Sequence, residues 1–135
     1  MPDKLYFSKT FQALEHAINI SQKRHNLISS NISNIDTPGY KSKDADFKGA
    51  LTRALKSGHE IELATTNSKH ISLEDKDAPG VQVFEDKSEW NGYNWVNVDK
   101  EMTKLTENNL IYRTSVETLL RKIAILKEVI REGGR

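Results

Sequence analysis

The chain has 135 residues, no cysteine, 20 basic and 19 acidic side chains and a net charge of +1. Disulfide frameworks, thiolate metal sites and an overall field that would gather nucleic acid or an anionic membrane are thereby excluded. A hydrophobic share of 36% and a mean hydropathy of −0.64 fall below the usual globular composition, so a large private core is hard to build.

The first element is a helix predicted over about residues 8–35. Phe7, Phe11, Leu14, Ile18, Ser21, His25, Ile28, Ile32 and Ile35 recur at alternating spacings of four and three, a heptad-like stripe with two polar members. Its last turns are built from Ser29, Ser30, Asn31, Ser33 and Asn34, all weak helix formers. Helix ending accounts for Asp36 and Thr37. Asn31 and Asn34 lie one turn apart on the side away from the stripe. They are expected to offer amides to a neighbouring backbone, an interface role. The helix stops at Thr37, Pro38, Gly39 and Tyr40, because Pro38 removes a donor and Pro38-Gly39 is a turn pair.

The middle of the chain, 36–98, reads as a linker. Residues 44–57 predict a short amphipathic helix with Phe47, Leu51, Ala54 and Leu55 on one side. Short alternating runs follow, "EIELATT" and "HISL" before Pro79-Gly80, then "VQVFED" and "YNWVNV" around Asn91-Gly92. The last two predict a β-hairpin.

A second long helix is predicted over about 99–132. Val98, Met102, Leu105, Asn109, Tyr112, Val116, Leu119, Ile123, Leu126 and Ile130 keep the same spacing with Asn109 alone polar. Asp99 and Glu101 suit its first turn and Gly133-Gly134 its end. A polar residue in such a seam fixes register, the role expected of Asn109. The fold class is therefore mainly α. Long N- and C-terminal helices pair antiparallel in a coiled-coil-like inner domain, 1–35 plus 99–135, with a short helix and a small β-hairpin or irregular segment between. Leu110, Ile111, Leu120, Ile125 and Val129 widen the apolar face of the last helix beyond one seam, which predicts association with other chains.

Catalytic and cofactor readings find little support. No two of His16, His25, His59 and His70 stand at i, i+3 or i+4, so surface histidines are expected instead of metal ligands. "DKDAPG" (75–80) begins like a calcium loop, but Pro79 occupies a ligand position and the flanks read as strands, which leaves an acidic turn. Asp44 with Asp46 reads as helix capping, and Glu60 with Glu62 as a solvated strand face, not as an acid–base pair in an apolar cleft. Lys41, Lys43 and Lys48 beside Tyr40 and Phe47 are broken up by Asp36, Asp44 and Asp46, against a nucleic-acid patch. Lys4, Lys9 and Glu15 interrupt any signal-peptide core, and no run is long enough to span a membrane. No enzyme, cofactor or metal is expected.

"ISSNISNIDTPGYKSKDADF", with Asn31, Asn34, Thr37, Pro38, Gly39 and Tyr40 in place, resembles the signature of bacterial flagellar axial proteins. The whole chain is similar to the basal-body rod family, most of all to its proximal members, by its short length, by "DADF" soon after the Pro-Gly turn, and by "VNVDKEM" and "NNLIYR". Where that family reads G-N-x-V-D-x-D-x-E, this chain has Tyr93, Asn94, Val96, Asn97, Asp99 and Glu101, departing at Tyr93 and Asn97. The resemblance implies a structural subunit of the periplasmic rod, whose end helices pack into a tubular assembly. It implies contacts with further copies, with other rod subunits, with the adaptor at the membrane ring, and with the flagellar type III apparatus that exports it without a cleaved signal. The assembly surface would comprise Phe11, Leu14, Ile18, Ile28, Asn31, Ile32, Asn34 and Ile35 on the first helix. On the last it would comprise Met102, Leu105, Asn109, Tyr112, Val116, Leu119, Ile123, Leu126 and Ile130, with Leu5, Phe7 and Phe11 read by the export machinery. A soluble helical export chaperone or adaptor is the alternative.

Overall fold

A computed structural model describes residues 3–56, 81–86 and 88–134, with side chains from Lys9 onward. The expected strands "EIELATT" and "HISL", the acidic turn at 75–80, His59, His70, Glu60 and Glu62, and the side chains of Leu5 and Phe7 lie outside the described residues.

The element order is α1 (Asp3–Ser33), β1 (Lys43–Ala45), α2 (Phe47–Lys56), β2 (Val83–Glu85) and α3 (Val98–Gly133). Both long helices and the short one form where the periodicity places them. The helix pair is antiparallel, since Asn31 meets Glu101 while Ser21 meets Asn108. α2 and β1 lie against α1. The apolar core is small: Ala17, Ile20 and Ile28 of α1, Ala45, Ala50 and Ala54 beside it, and Val96 ahead of α3.

The two strands are β1 and β2, antiparallel with Lys43 opposite Glu85, Asp44 opposite Phe84 and Ala45 opposite Val83. This corrects the expected hairpin between 81–86 and 93–98. Asn91 folds the Asn91-Gly92 turn onto itself, accepting from the Tyr93 N–H at 2.9 Å and the Asn94 N–H at 2.8 Å. Gly92 takes φ +94° there, a backbone conformation that suits a residue without Cβ. The following segment then runs to the end of α1, where the Trp95 N–H donates to the Tyr40 carbonyl at 2.9 Å and Trp95 bridges Lys41 in parallel sense. β2 is left to pair with β1.

The line of residues each long helix buries also differs from the apolar stripe. α3 buries Glu101, Lys104, Asn108 and Ser115, one residue ahead of the Met102, Leu105, Asn109 and Val116 line. α1 buries Ser21, Ile28 and Asn31 and half-buries Arg24 between them, while His25 is exposed. Most of these polar side chains find partners in the seam, where burial of a partnered polar group carries little penalty; the Ser21 hydroxyl and Asn108 Oδ1 are without one among the described residues.

Candidate functional site

The serine- and asparagine-rich end of α1 builds a polar clasp where all the other elements converge. The turn after α1 is local: the Thr37 N–H donates to the Asn34 carbonyl at 3.0 Å, and the Thr37 hydroxyl to Asn34 Oδ1 at 3.1 Å. Asn34 Nδ2 donates to the Ser30 carbonyl at 2.8 Å, so Asn34 closes its own helix. Gly39, at φ +71°, then reverses the chain and brings β1 back along α1.

Asn31 is fully buried where β1 arrives. Its Nδ2 donates to the Lys43 carbonyl at 2.7 Å and to Glu101 Oε2 at 2.8 Å. Its Oδ1 accepts from the Lys43 N–H at 2.9 Å and from the Tyr40 hydroxyl at 3.2 Å. The whole donor and acceptor capacity of the amide is thus spent inside the chain. Asn31 and the equally buried Ile28 thus both lie inside the chain's own core.

Glu101, with no exposed surface, passes the network on. Lys104 Nζ donates to Glu101 Oε1 at 2.8 Å and to Asp86 Oδ2 at 2.7 Å, and lies 3.4 Å from Asp44. Asp44 accepts from Arg24 Nε at 2.9 Å and from its Nη2 at 3.2 Å, the bidentate geometry that guanidinium favours. Lys100 adds a half-exposed contact to Asp86. Three carboxylates and three cations balance, as a buried ionic network must. Asp46, by contrast, caps α2 as expected, accepting from the Gly49 N–H at 2.9 Å.

Titration follows from this geometry. Burial pushes the Asp44 carboxyl upward, but the Arg24 hydrogen bond, the Ala45 N–H and the charges of Arg24 and Lys104 outweigh it, so its pKa lies below the usual carboxylate value. Asp86 behaves alike: burial opposes, Lys104 and Lys100 prevail, and the result is lowered. For Lys104 burial works downward, but Asp86, Glu101 and Asp44 carry the ammonium above its ordinary value.

A second amide closes the end of α1. Asn94 is fully buried and donates to the Ile35 carbonyl and, at 3.4 Å, to the Thr37 carbonyl. Both carbonyls lie in the turn just beyond α1, and that of Thr37 also accepts from the Tyr40 N–H at 3.3 Å. Asn97 is the N-cap of α3, accepting from the Lys100 N–H at 3.1 Å. The amide in place of aspartate thus keeps the capping bond.

The rest of the expected assembly surface divides in two. Phe11, Leu14, Ile18 and Ile32 on α1, Ile35 in the turn after it, and Leu105, Val116, Leu119, Ile123 and Leu126 on α3 are half-buried. Met102, Tyr112 and Ile130 are exposed, as are Leu110, Leu120, Ile125 and Val129. Asn109 is exposed as well, and Asn108 holds the seam in its place: its Nδ2 donates to the Ser21 carbonyl at 2.9 Å.

Arg24, Lys104 and Asp86 were not singled out from the sequence, and Asp44, expected to cap a helix, pairs instead with Arg24 and Lys104. A signal existed: Ser21, Arg24, Ile28 and Asn31, and likewise Glu101, Lys104, Asn108, Ile111 and Ser115, repeat at the same spacings of three and four as the apolar lines. Among the described residues no group of three His, Cys, Asp or Glu side chains could hold a metal ion. Nor is any described helix long and apolar enough to cross a membrane.

A paired-helix subunit whose turn motif is spent on its own fold, leaving an apolar face outward, has the character of a structural component of an assembly. The family model described as "Flagella basal body rod protein" matches residues 11–41, the stretch that ends on the Asn31–Tyr40 clasp. The chain is 35% identical over 127 residues to the flagellar basal body rod protein FlgB of Aeromonas hydrophila, covering 93% of this chain and 95% of that protein. It is 35% identical over 128 residues to FlgB of Bacillus subtilis strain 168, covering 94% and 97%. To FlgB of Escherichia coli strain K12 it is 30% identical over 141 residues, covering 99% and 100%. The chain belongs to the FlgB family of flagellar basal body rod proteins.

Proposed function

We propose that this chain is a structural subunit of the proximal rod. It polymerises through its two long helices into the tubular shaft between the membrane ring and the more distal axial layers. The observation that carries this reading is the row of exposed apolar residues on α3: Leu110, Leu120, Ile125, Val129 and Ile130, the last 71% exposed. Large apolar side chains left exposed around one helix need a cover, and on this reading neighbouring subunits supply it. Contacts between unlike surfaces that do not close on themselves would extend into a helical array.

The small core and the exposed apolar side chains also support coupled folding and assembly, with the subunit leaving the cytoplasm as unfolded chain through the flagellar export apparatus and reaching the periplasmic rod with no cleaved leader. Its partners there are further copies, other rod subunits and the adaptor at the membrane ring.

Far-ultraviolet circular dichroism with sedimentation velocity across a wide concentration range tests the reading. Helicity that rises as large species form is expected. A fully helical small oligomer unchanged by concentration overturns it and favours an export adaptor.

A further inference from the structure

The loop between β2 and α3 contains Asn91-Gly92, the one place in the chain where an asparagine precedes a glycine. That pair carries a chemistry of its own. The backbone nitrogen of Gly92 can attack Asn91 Cγ: the new N–Cγ bond closes a five-membered imide, the Cγ–Nδ2 bond breaks, and Nδ2 leaves as ammonia with the Gly92 amide proton. Water then opens the ring at either carbonyl, giving aspartate or, with the backbone rerouted through Cγ, isoaspartate. A residue without Cβ gives the attacking nitrogen no shield. Around the place where a Gly92 side chain would stand, nothing among the described residues comes within 4 Å, and Asn91 is exposed, so base and water have access to both.

We propose that Asn91 is a site of spontaneous deamidation that folding shuts off, and that the product, once formed in an open chain, keeps this loop from closing on the end of α1. In the fold the amide is held at both ends. Its Oδ1 accepts from the Tyr93 and Asn94 N–H groups at 2.9 and 2.8 Å, and its Nδ2 donates to Asn94 Oδ1 at 2.9 Å and to the Val96 carbonyl at 3.1 Å. Attack makes Cγ tetrahedral and carries Oδ1 and Nδ2 out of the plane in which those bonds hold them, so the reaction must wait for the loop to open. Two N–H groups on Oδ1 would steady the developing negative charge, but the departure of Nδ2 gives up both of its buried acceptors, Asn94 and Val96. The product is worse placed still. A carboxylate oxygen stands where Nδ2 was and meets Asn94 Oδ1 and the Val96 carbonyl, acceptor against acceptor. Asn94 cannot answer by turning its amide, because its Nδ2 is committed to the Ile35 and Thr37 carbonyls and its Oδ1 to the Val96 N–H.

The test incubates the full chain at mildly alkaline pH in native buffer and in guanidinium chloride, and follows the tryptic peptide 88–100 by tandem mass spectrometry with an isoaspartate assay. Trp90 and Trp95, whose ring centroids stand 4.4 Å apart, give a circular dichroism couplet that reports the closed loop. The couplet is expected in native buffer alone, and conversion at Asn91 should be at least roughly tenfold faster in denaturant, where no bonds need to open first. Asn94→Ala, which removes an acceptor of Nδ2, should speed conversion in native buffer and leave the rate in denaturant unchanged. Asn91→Asp should weaken the couplet and lower the melting temperature. Equal rates in the two media, a faster rate in the folded chain, or no conversion at Asn91 in denaturant overturns the proposal, as does a native chain without the couplet. An Asn94→Ala rate equal to that of the parent in native buffer overturns the protective role of the Nδ2 bonds. An Asn91→Asp chain with the couplet and melting temperature of the parent overturns the effect on closure.

Discussion

The two ends of the α1–α3 pair are built on opposite principles. At the clasp, Asn31, Asp44, Glu101 and Lys104 are buried and supplied with partners from within the chain. At the far end of α3, Ile125, Val129 and Ile130 are apolar and exposed. A network of charges is directional: breaking one member strands the others. An apolar face is undirected and waits for whatever covers it. The clasp end therefore settles the shape of the subunit, and the far end is where substitution should alter association while the fold stays as it is.

That contrast can be broken most forcefully at Glu101. Glu101→Ala removes a carboxylate from beneath Lys104 and Asn31 and should cost about 3–5 kcal/mol, read as a lower urea midpoint. Asn31→Ala should follow, losing at least about 1–3 kcal/mol as the backbone of Lys43 and the Glu101 carboxylate lose a partner.

Acid should act on the same end. Asp44 and Asp86 have pKa values lowered on folding, so the stability they lend is present above their ordinary value of 3.8. It drains as pH falls through the folded value below that. Lys104, raised above 10.5, contributes fully below that pH and loses its contribution as pH climbs through the raised value. Melting temperature against pH should therefore hold level near neutrality and fall below about pH 4. An Asp44→Asn variant should flatten part of the acid limb.

Smaller still is the cap: Asn97→Ala should lower stability by about 1 kcal/mol, measured by thermal unfolding. Ile130→Ser should change the stability of the free chain by less than about 0.5 kcal/mol and yet reduce self-association in sedimentation velocity. Asn109→Leu should be equally mild in the free chain, because the seam belongs to Asn108.

Much of the architecture was legible because a spacing of three and four is a direct imprint of the helix turn, and Pro38-Gly39 is an unambiguous stop. What the pattern did not fix was rotation. An apolar line and a polar line one residue apart are both in phase with the helix, and hydropathy favours the first. The fold buries the second, because Arg24 and Lys104 find counterions on β1 and after β2, segments distant in sequence, while Glu101 meets Asn31 across the seam. The strand partner of 83–85 was equally hidden. A three-residue strand carries little register information of its own, and Asn91 and Asn94 draw the following segment toward the end of α1. The family motif was legible as a motif, but the task of its asparagine was not. The residue that looked outward is the most thoroughly bonded side chain in the clasp.

The grip of Asn31 on Lys43 has one more consequence. Alternate residues of β1 point opposite ways: the Ser42 carbonyl accepts from the Asp86 N–H on the β2 side, whereas Lys43 turns its N–H and carbonyl away from β2, toward α1. A strand left so would be an open edge, a template for any extended segment that drifted past. The amide of Asn31 fills that place with one donor and one acceptor, standing in for a third strand and ending the sheet at two. One asparagine thereby closes this route to strand-by-strand aggregation at Lys43.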